Sequence, residues 1–190
     1  MQSKSAHLFI IAAPSGAGKT TLRREVLKRF SDMIYSVSYT TRPLRNGEQE
    51  GVDYHFITTG DFETGITAGK WAEWALVHGN YYGTSADFLD KGLADGRDIL
   101  LDIDVQGTRQ ILEHYPSSVA IFILPPSLEV LQQRLIARGT DSAESIAVRL
   151  QNAEKEMAQQ DLYHHVIIND ELSKAVSELV SIIEHYSSSH

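Results

Sequence analysis

No cysteine occurs in the 190 residues. Its absence excludes a disulfide framework, thiolate catalysis and a thiolate metal site, and it points to a cytosolic setting. Long apolar runs are missing too. The longest, residues 8–13 and 119–124, fall far short of the roughly 20 residues that a membrane helix needs. The first seven residues carry one lysine and no apolar stretch, so no signal peptide or anchor is expected and the protein should be soluble. Nor is there an excess of positive charge: 17 Lys and Arg face 25 Asp and Glu, a net charge of −8. A phosphate-backbone binder needs the opposite balance, so neither nucleic acid nor a membrane is an expected partner. Proline is sparse at 5, and 42% apolar with 22% charged residues is the composition of an ordinary folded chain.

The length suits one compact unit of about 150 residues, or a core with small insertions. No internal repeat or coiled-coil register is visible, and residues 187–190 read as a polar frayed tail. Short apolar runs alternate with amphipathic stretches. Residues 8–13 read as a buried strand, and Leu22, Val26, Leu27 and Phe30 then recur at helical spacing. Residues 99–104 and 119–124 read as further strands, the first delivering carboxylates at its carboxyl end and the second stopped by Pro125-Pro126. Ser127 can cap a helix bearing Leu128, Leu131 and Leu135. Asp141 with Glu144 resembles a capping box before Ile146, Leu150, Ala153 and Met157. Residues 166–168 give the last strand, and Leu172, Ala175, Val176, Leu179, Ile182 and Ile183 give a closing helix its apolar face. Continuous apolar strands separated by helices predict an α/β fold with a parallel sheet covered on both sides.

Residues 37–94 break that rhythm with several glycines and two strand-like runs, 53–57 and 71–77, and read as an inserted subdomain. Residues 134–153 have few large apolar side chains and read as a lid. The expected core is then residues 1–36, 95–133 and 154–190.

Three stretches carry chemistry. Ala13-Pro14-Ser15-Gly16-Ala17-Gly18-Lys19-Thr20 lies between the first strand and the first helix. Glycines there let backbone N–H groups turn toward one point, and a helix N-terminus favours negative charge. Lys19 can reach β and γ phosphates, and the Thr20 hydroxyl can hold Mg2+. Such loops usually open on Gly, and here Ala13 takes that place. The second stretch is Ser38-Tyr39-Thr40-Thr41-Arg42-Pro43-Leu44-Arg45-Asn46-Gly47-Glu48. Pro43 and Gly47 oppose a helix, so Arg42 and Arg45 sit on a loop from which both guanidinium forks can converge on a phosphate dianion; alone, the fragment reads more simply as a solvated basic loop. In the third, a strand over residues 71–77 would put Glu73 on one face with Trp71, Ala75 and Val77. A carboxylate there can accept N1–H and N2–H2 of a guanine edge, although Glu73 alone reads as a surface residue and the tryptophans as packing. His78, His164 and His165 lack companions at zinc spacing and read as surface or loop residues.

Together these pieces resemble guanylate kinase of the bacterial type, within the P-loop nucleoside monophosphate kinases. The resemblance rests on the phosphate loop, residues 38–45, Gly47-Glu48, Asp53-Tyr54, Glu73 and residues 79–84. It continues through Asp102-Ile103-Asp104-Val105-Gln106-Gly107, Arg134, Arg138-Gly139-Thr140 and Asn169-Asp170, and it runs in order from about residue 8 to residue 183. Ala13 also occurs in bacterial members, and Thr84 stands where Ser is common. The resemblance implies a P-loop sheet with an inserted GMP-binding subdomain and a helical lid, ATP and GMP as substrates, and a role in purine nucleotide metabolism. It implies that Arg42, Arg45, Tyr54 and Tyr82 hold the GMP phosphate. Ser38, Glu73, Thr84 and Asp104 fall at the guanine or its surroundings. Asp102 matches an acidic position of the Mg2+ and phosphate region, Arg134, Arg138 and Arg149 match phosphate-facing arginines, and Asn169 matches a residue near the adenine end of ATP. Two other readings stay open: a non-enzymatic interaction module of the same fold, and a P-loop kinase acting on a sugar phosphate such as ribose bisphosphate.

Overall fold

The computed structural model describes residues 6–77, 79–139 and 141–187. His78 and Thr140, both singled out in the sequence, lie outside the described residues, as do the first five residues and residues 188–190 of the polar tail.

From the amino end the chain runs β1 (Leu8–Ala12), α1 (Lys19–Arg29), β2 (Ile34–Tyr35), β3 (Tyr39–Thr40), β4 (His55–Phe56), α2 (Thr59–Thr67), β5 (Trp71–Val77), β6 (Asn80–Ser85) and α3 (Ala86–Ala94). It continues as β7 (Ile99–Asp102), α4 (Val105–His114), β8 (Val119–Leu124), α5 (Leu128–Arg138), α6 (Ala143–Met157), β9 (His165–Ile168) and α7 (Leu172–Ser187).

Five strands form a parallel sheet in the order β2-β7-β1-β8-β9. Every residue of β1 and β8 is buried, because helices cover both faces. Leu8, Ile10 and Ala12 point into one apolar layer with Leu89, Leu101, Ile111 and Phe122. Phe9 and Ile11 point into the other, with Leu22, Val26, Ile121, Leu179 and Ile183. The α/β expectation holds, and so do the helix caps at Ser127 and the apolar face of α7. Among the described residues no helix is long and apolar enough to cross a membrane.

A second, mixed sheet has the order β4-β3-β6-β5, with β3 and β4 parallel and the other pairs antiparallel. Its strands lie between residues 39 and 85. Only His55–Phe56 of the run 53–57 is a strand. Between Trp71 and Glu73 the register of β5 slips against β6, a bulge that turns Trp71 away from the Glu73 face. Trp71 stacks on Phe62 of α2, with ring centroids 4.4 Å apart. The sequence expectation that Trp71 and Glu73 share a face is therefore corrected. A smaller correction concerns α6, whose N-cap is Ser142, its hydroxyl accepting from the Ser145 N–H. Asp141 instead pairs with Arg149 at 3.0 Å.

Phe122 lies on β8, beside the central strand β1 of the parallel sheet, fully buried and stacked on Tyr163 at 4.4 Å between centroids. Phe122→Ala should cost about 3–5 kcal/mol, read as a lower urea midpoint at unchanged m value. A loss below about 1 kcal/mol would contradict this placement of the core.

Candidate active site

The phosphate loop bridges β1 and α1, and its shape depends on Gly16 at φ 97° and Gly18 at φ 95°, left-handed angles that side chains resist. Gly18 is also the N-cap of α1, with no side-chain cap, so the positive end of the helix dipole faces the adjoining cavity. A Cβ at Gly16 would lie 2.9 Å from a Leu135 methyl, so α5 packs directly on the loop. The loop is also strapped to the segment that follows β9. Asn169 is buried, its side-chain amide donates to the Ala17 carbonyl at 2.8 Å, and its backbone carbonyl accepts from Arg134 at 2.8 Å. A cavity of 670 Å³ is lined by Ala13, Pro14, Ser15, Gly16, Gly18, Lys19, Thr20, Arg134, Arg138 and Glu156.

Register places an acidic side chain within reach of Lys19. Ile11 of β1 pairs with Asp102 at the end of β7, and Lys19 Nζ reaches Asp102 Oδ1 at 2.6 Å. Arg23, one helical turn beyond Lys19, approaches the other carboxylate oxygen at 3.3 Å and lies over the Tyr35 ring at 4.5 Å. Lys19 and Asp102 also line a second cavity, of 290 Å³, together with Ser38, Tyr54, Glu73, Ala75, Val77, Tyr82 and Asp104. Lys19 thus borders both cavities.

In the second cavity Glu73 is only 5% exposed and accepts a hydrogen bond from the Thr84 hydroxyl at 2.6 Å. Burial pushes its carboxyl up to about 7; the Thr84 hydrogen bond opposes the rise and the charge of Asp104 adds to it. Asp104 caps α4, accepting from the Gly107 N–H at 2.8 Å. A buried carboxylate with one satisfied oxygen can accept further N–H donors from a flat polar ligand.

Arg42 and Arg45 stand in different surroundings. The buried Arg42 fork is taken by Glu48, at 2.9 and 2.7 Å, and by the Pro43 carbonyl. It lies 5.2 Å from the Tyr54 ring. Hydrogen bonds from Arg42, assisted by the Arg45 N–H, hold the Glu48 carboxyl down at about 2. The Arg45 side chain faces a third cavity, of 470 Å³, shared with Ser15, Arg138, Arg149, Asn152, Ala153 and Glu156. Arg149 donates to the Ser15 hydroxyl at 3.0 Å. A carboxylate in such cationic company escaped the sequence reading. Burial raises the Glu156 carboxyl, and Lys19 partly offsets that rise. Its signal was present: Arg149, Asn152 and Glu156 recur at helical spacing on the α6 face toward the loop.

The histidines stand elsewhere. His164 Nδ1 accepts from the Ala120 N–H at 3.0 Å, and His165 lies in β9, within 3.1 Å of the Tyr186 hydroxyl. Among the described residues no group of three or more His, Asp or Glu could hold a metal ion.

Known proteins resemble this chain in sequence and in fold. The guanylate kinase family model matches residues 5–186. The chain is 53% identical over 176 residues to the guanylate kinase of Syntrophotalea carbinolica, covering 93% of this chain and 84% of that one. It is 48% identical to that of Dechloromonas aromatica, over 94% and 89% of the two chains. The crystal structure of guanylate kinase from Anaplasma phagocytophilum superposes with a TM-score of 0.77 at 29% identity, over 97% of this chain and 87% of that one. With a family model spanning nearly its whole length and curated relatives at about half identity, the chain belongs to the guanylate kinase family.

Proposed function

We propose that the cavities divide the guanylate kinase reaction, ATP + GMP to ADP + GDP, between them, with Lys19 at their common wall. The observation that carries this reading is that Lys19 borders both the loop cavity and the Glu73 cavity. ATP lies along the phosphate loop, its β and γ phosphates held by the backbone of residues 13–18, by Lys19 and by the N-terminus of α1. GMP fills the second cavity, its base toward Glu73, Ser38, Thr84 and Asp104 and its phosphate toward Arg42, Arg45, Tyr54 and Tyr82. Those residues address base and phosphate, so dGMP is a substrate too.

Phosphoryl transfer proceeds through a loose transition state whose charge spreads over the equatorial oxygens, so the protein must supply alignment and fixed positive charge. Lys19, Arg134, Arg138 and Arg149 act on the donor and Arg42 and Arg45 on the acceptor. Arg45 already shares a cavity with Arg138 and Arg149. No general base is needed, because the acceptor phosphate oxygen is ionised near neutral pH. Asn169 and Arg134 keep the loop in shape through the contacts described, Asn169 beside the end of the donor site. Closing of the lid, residues 134–153, and of the acceptor subdomain, residues 37–94, excludes water as a competing nucleophile.

The donor set fits Mg2+. This small hard cation keeps several waters and takes phosphate oxygens, so it needs few protein ligands. The exposed Thr20 lines the loop cavity and would hold it directly, with Asp102 acting through water. When bound, the ion neutralises charge on the β and γ phosphates. A cytosolic location, where ATP is made and thiols stay reduced, completes the reading.

Three outcomes check it. Lys19→Ala should abolish ADP release in a coupled assay while far-UV circular dichroism stays unchanged; retained turnover would refute the donor-site assignment. In the same assay AMP and ribose bisphosphate should be poor acceptors beside GMP and dGMP. AMP presents a lone pair at N1 where GMP presents a proton, and a site that pairs with that proton can discriminate by about 10⁴. Glu73→Gln should raise the KM for GMP with little change for ATP, and an unchanged GMP rate would remove Glu73 from the selective role. The same variant tests the raised carboxyl. A folded-state value of about 7 against an ordinary carboxylate near 4.5 means that the folded state binds the extra proton, so stability is lost as pH rises from about 4.5 through 7. Urea titrations at pH 5 and pH 8 should therefore show a smaller loss in Glu73→Gln than in the natural protein. Equal losses would contradict it.

A further inference from the structure

The carboxylate of Glu73 sits on a strand that should hold it poorly. β5 is the edge of its sheet, and its ladder with β6 slips between Trp71 and Glu73, where a bulge leaves backbone groups without strand partners. The missing support comes from α4. Gln110 makes a paired contact with the backbone of Trp74: its amide oxygen accepts from the Trp74 N–H at 3.1 Å, and its amide nitrogen donates to the Trp74 carbonyl at 2.9 Å. One turn further on, His114 Nδ1–H donates to the Ala72 carbonyl at 3.0 Å. The two contacts bracket residue 73. One turn before Gln110 on α4, beside the Glu73 carboxylate, stands Gly107. A Cβ there would lie 2.6 Å from Glu73 Oε2 and 3.1 Å from Cδ. Glycine is disfavoured inside helices relative to alanine, and this close approach gives it a reason. Gly107, Gln110 and His114 follow one another at helical spacing and form a single face.

We propose that this face of α4 is a specificity clamp, in which Gln110 and His114 fasten the edge strand on either side of Glu73 and Gly107 leaves the space the carboxylate occupies. These are positioning residues. They act on guanine only through Glu73, and the proposal rests on the guanine reading of that residue. An edge strand with a bulge would otherwise let the carboxylate wander by a fraction of an ångström, enough to spoil a hydrogen-bonded fit.

Steady-state kinetics on Gln110→Ala and Gly107→Ala, each alone and combined with Glu73→Gln, test the clamp as a double-mutant cycle. Each single change should raise the KM for GMP at least tenfold, leave the KM for ATP within twofold and leave kcat at saturating GMP within threefold. In the Glu73→Gln background Gln110→Ala should cost less than a further twofold, because the group it positions is already lost. A KM for GMP within twofold of the natural protein in both single variants, with Glu73→Gln impaired, would overturn the clamp and leave the Glu73 reading intact. So would an equal loss from Gln110→Ala in both backgrounds, which marks a merely structural role. A wild-type KM for GMP in Glu73→Gln itself would defeat the guanine reading instead.

Discussion

The contact of Lys19 Nζ with Asp102 at 2.6 Å is the point on which the site depends. The lysine opens α1 immediately after the phosphate loop, and the aspartate ends β7, the parallel neighbour of β1. The ion pair therefore exists only because two strands far apart in sequence lie side by side with their carboxyl ends level, the place where open α/β sheets hold their ligands. Without the carboxylate, a long flexible ammonium would range over several ångströms and would mark no boundary between the two cavities.

The same device recurs around the site. Arg23 also leans on Asp102, Arg42 is gripped by Glu48, and Arg149 is paired with Asp141. A protein of net charge −8 thus holds the cations around its proposed phosphate sites with its own carboxylates. Holding long side chains in place beforehand lowers the ordering cost at the moment of binding, and charge that is already aimed needs no reorganisation during transfer. On the proposed reading fixed partners also carry a cost, since the GMP phosphate would have to compete with Glu48 for the Arg42 fork.

Where function is written in contiguous residues, the sequence could be read directly. The loop from Ala13 to Thr20 and its flanking strand and helix follow from glycine chemistry and apolar spacing, and the parallel core follows from runs too apolar to face water. β2 and β3 escaped because two-residue strands have no period to detect, and β4 is only the middle of the run 53–57. The bulge in β5 reversed the facing of Trp71 for a similar reason: strict alternation cannot reveal an inserted residue. Arg23 and Glu156 gain meaning only when helices dock. Gln110 looked like any polar helix residue until the edge of a second sheet came against it. Ser142 and Asp141 are both good caps by type, and the pairing of Asp141 with Arg149 decided between them.

If Lys19 stands between two facing nucleotides, the phosphoryl group passes from one to the other without leaving the site. A rapid-quench single turnover with γ-labelled ATP, GMP and Mg2+ measures this directly. The account predicts that label lost from ATP appears in GDP at the same rate, with none on the protein and none in inorganic phosphate. Label accumulating on the protein or in inorganic phosphate before it reaches GDP would contradict it.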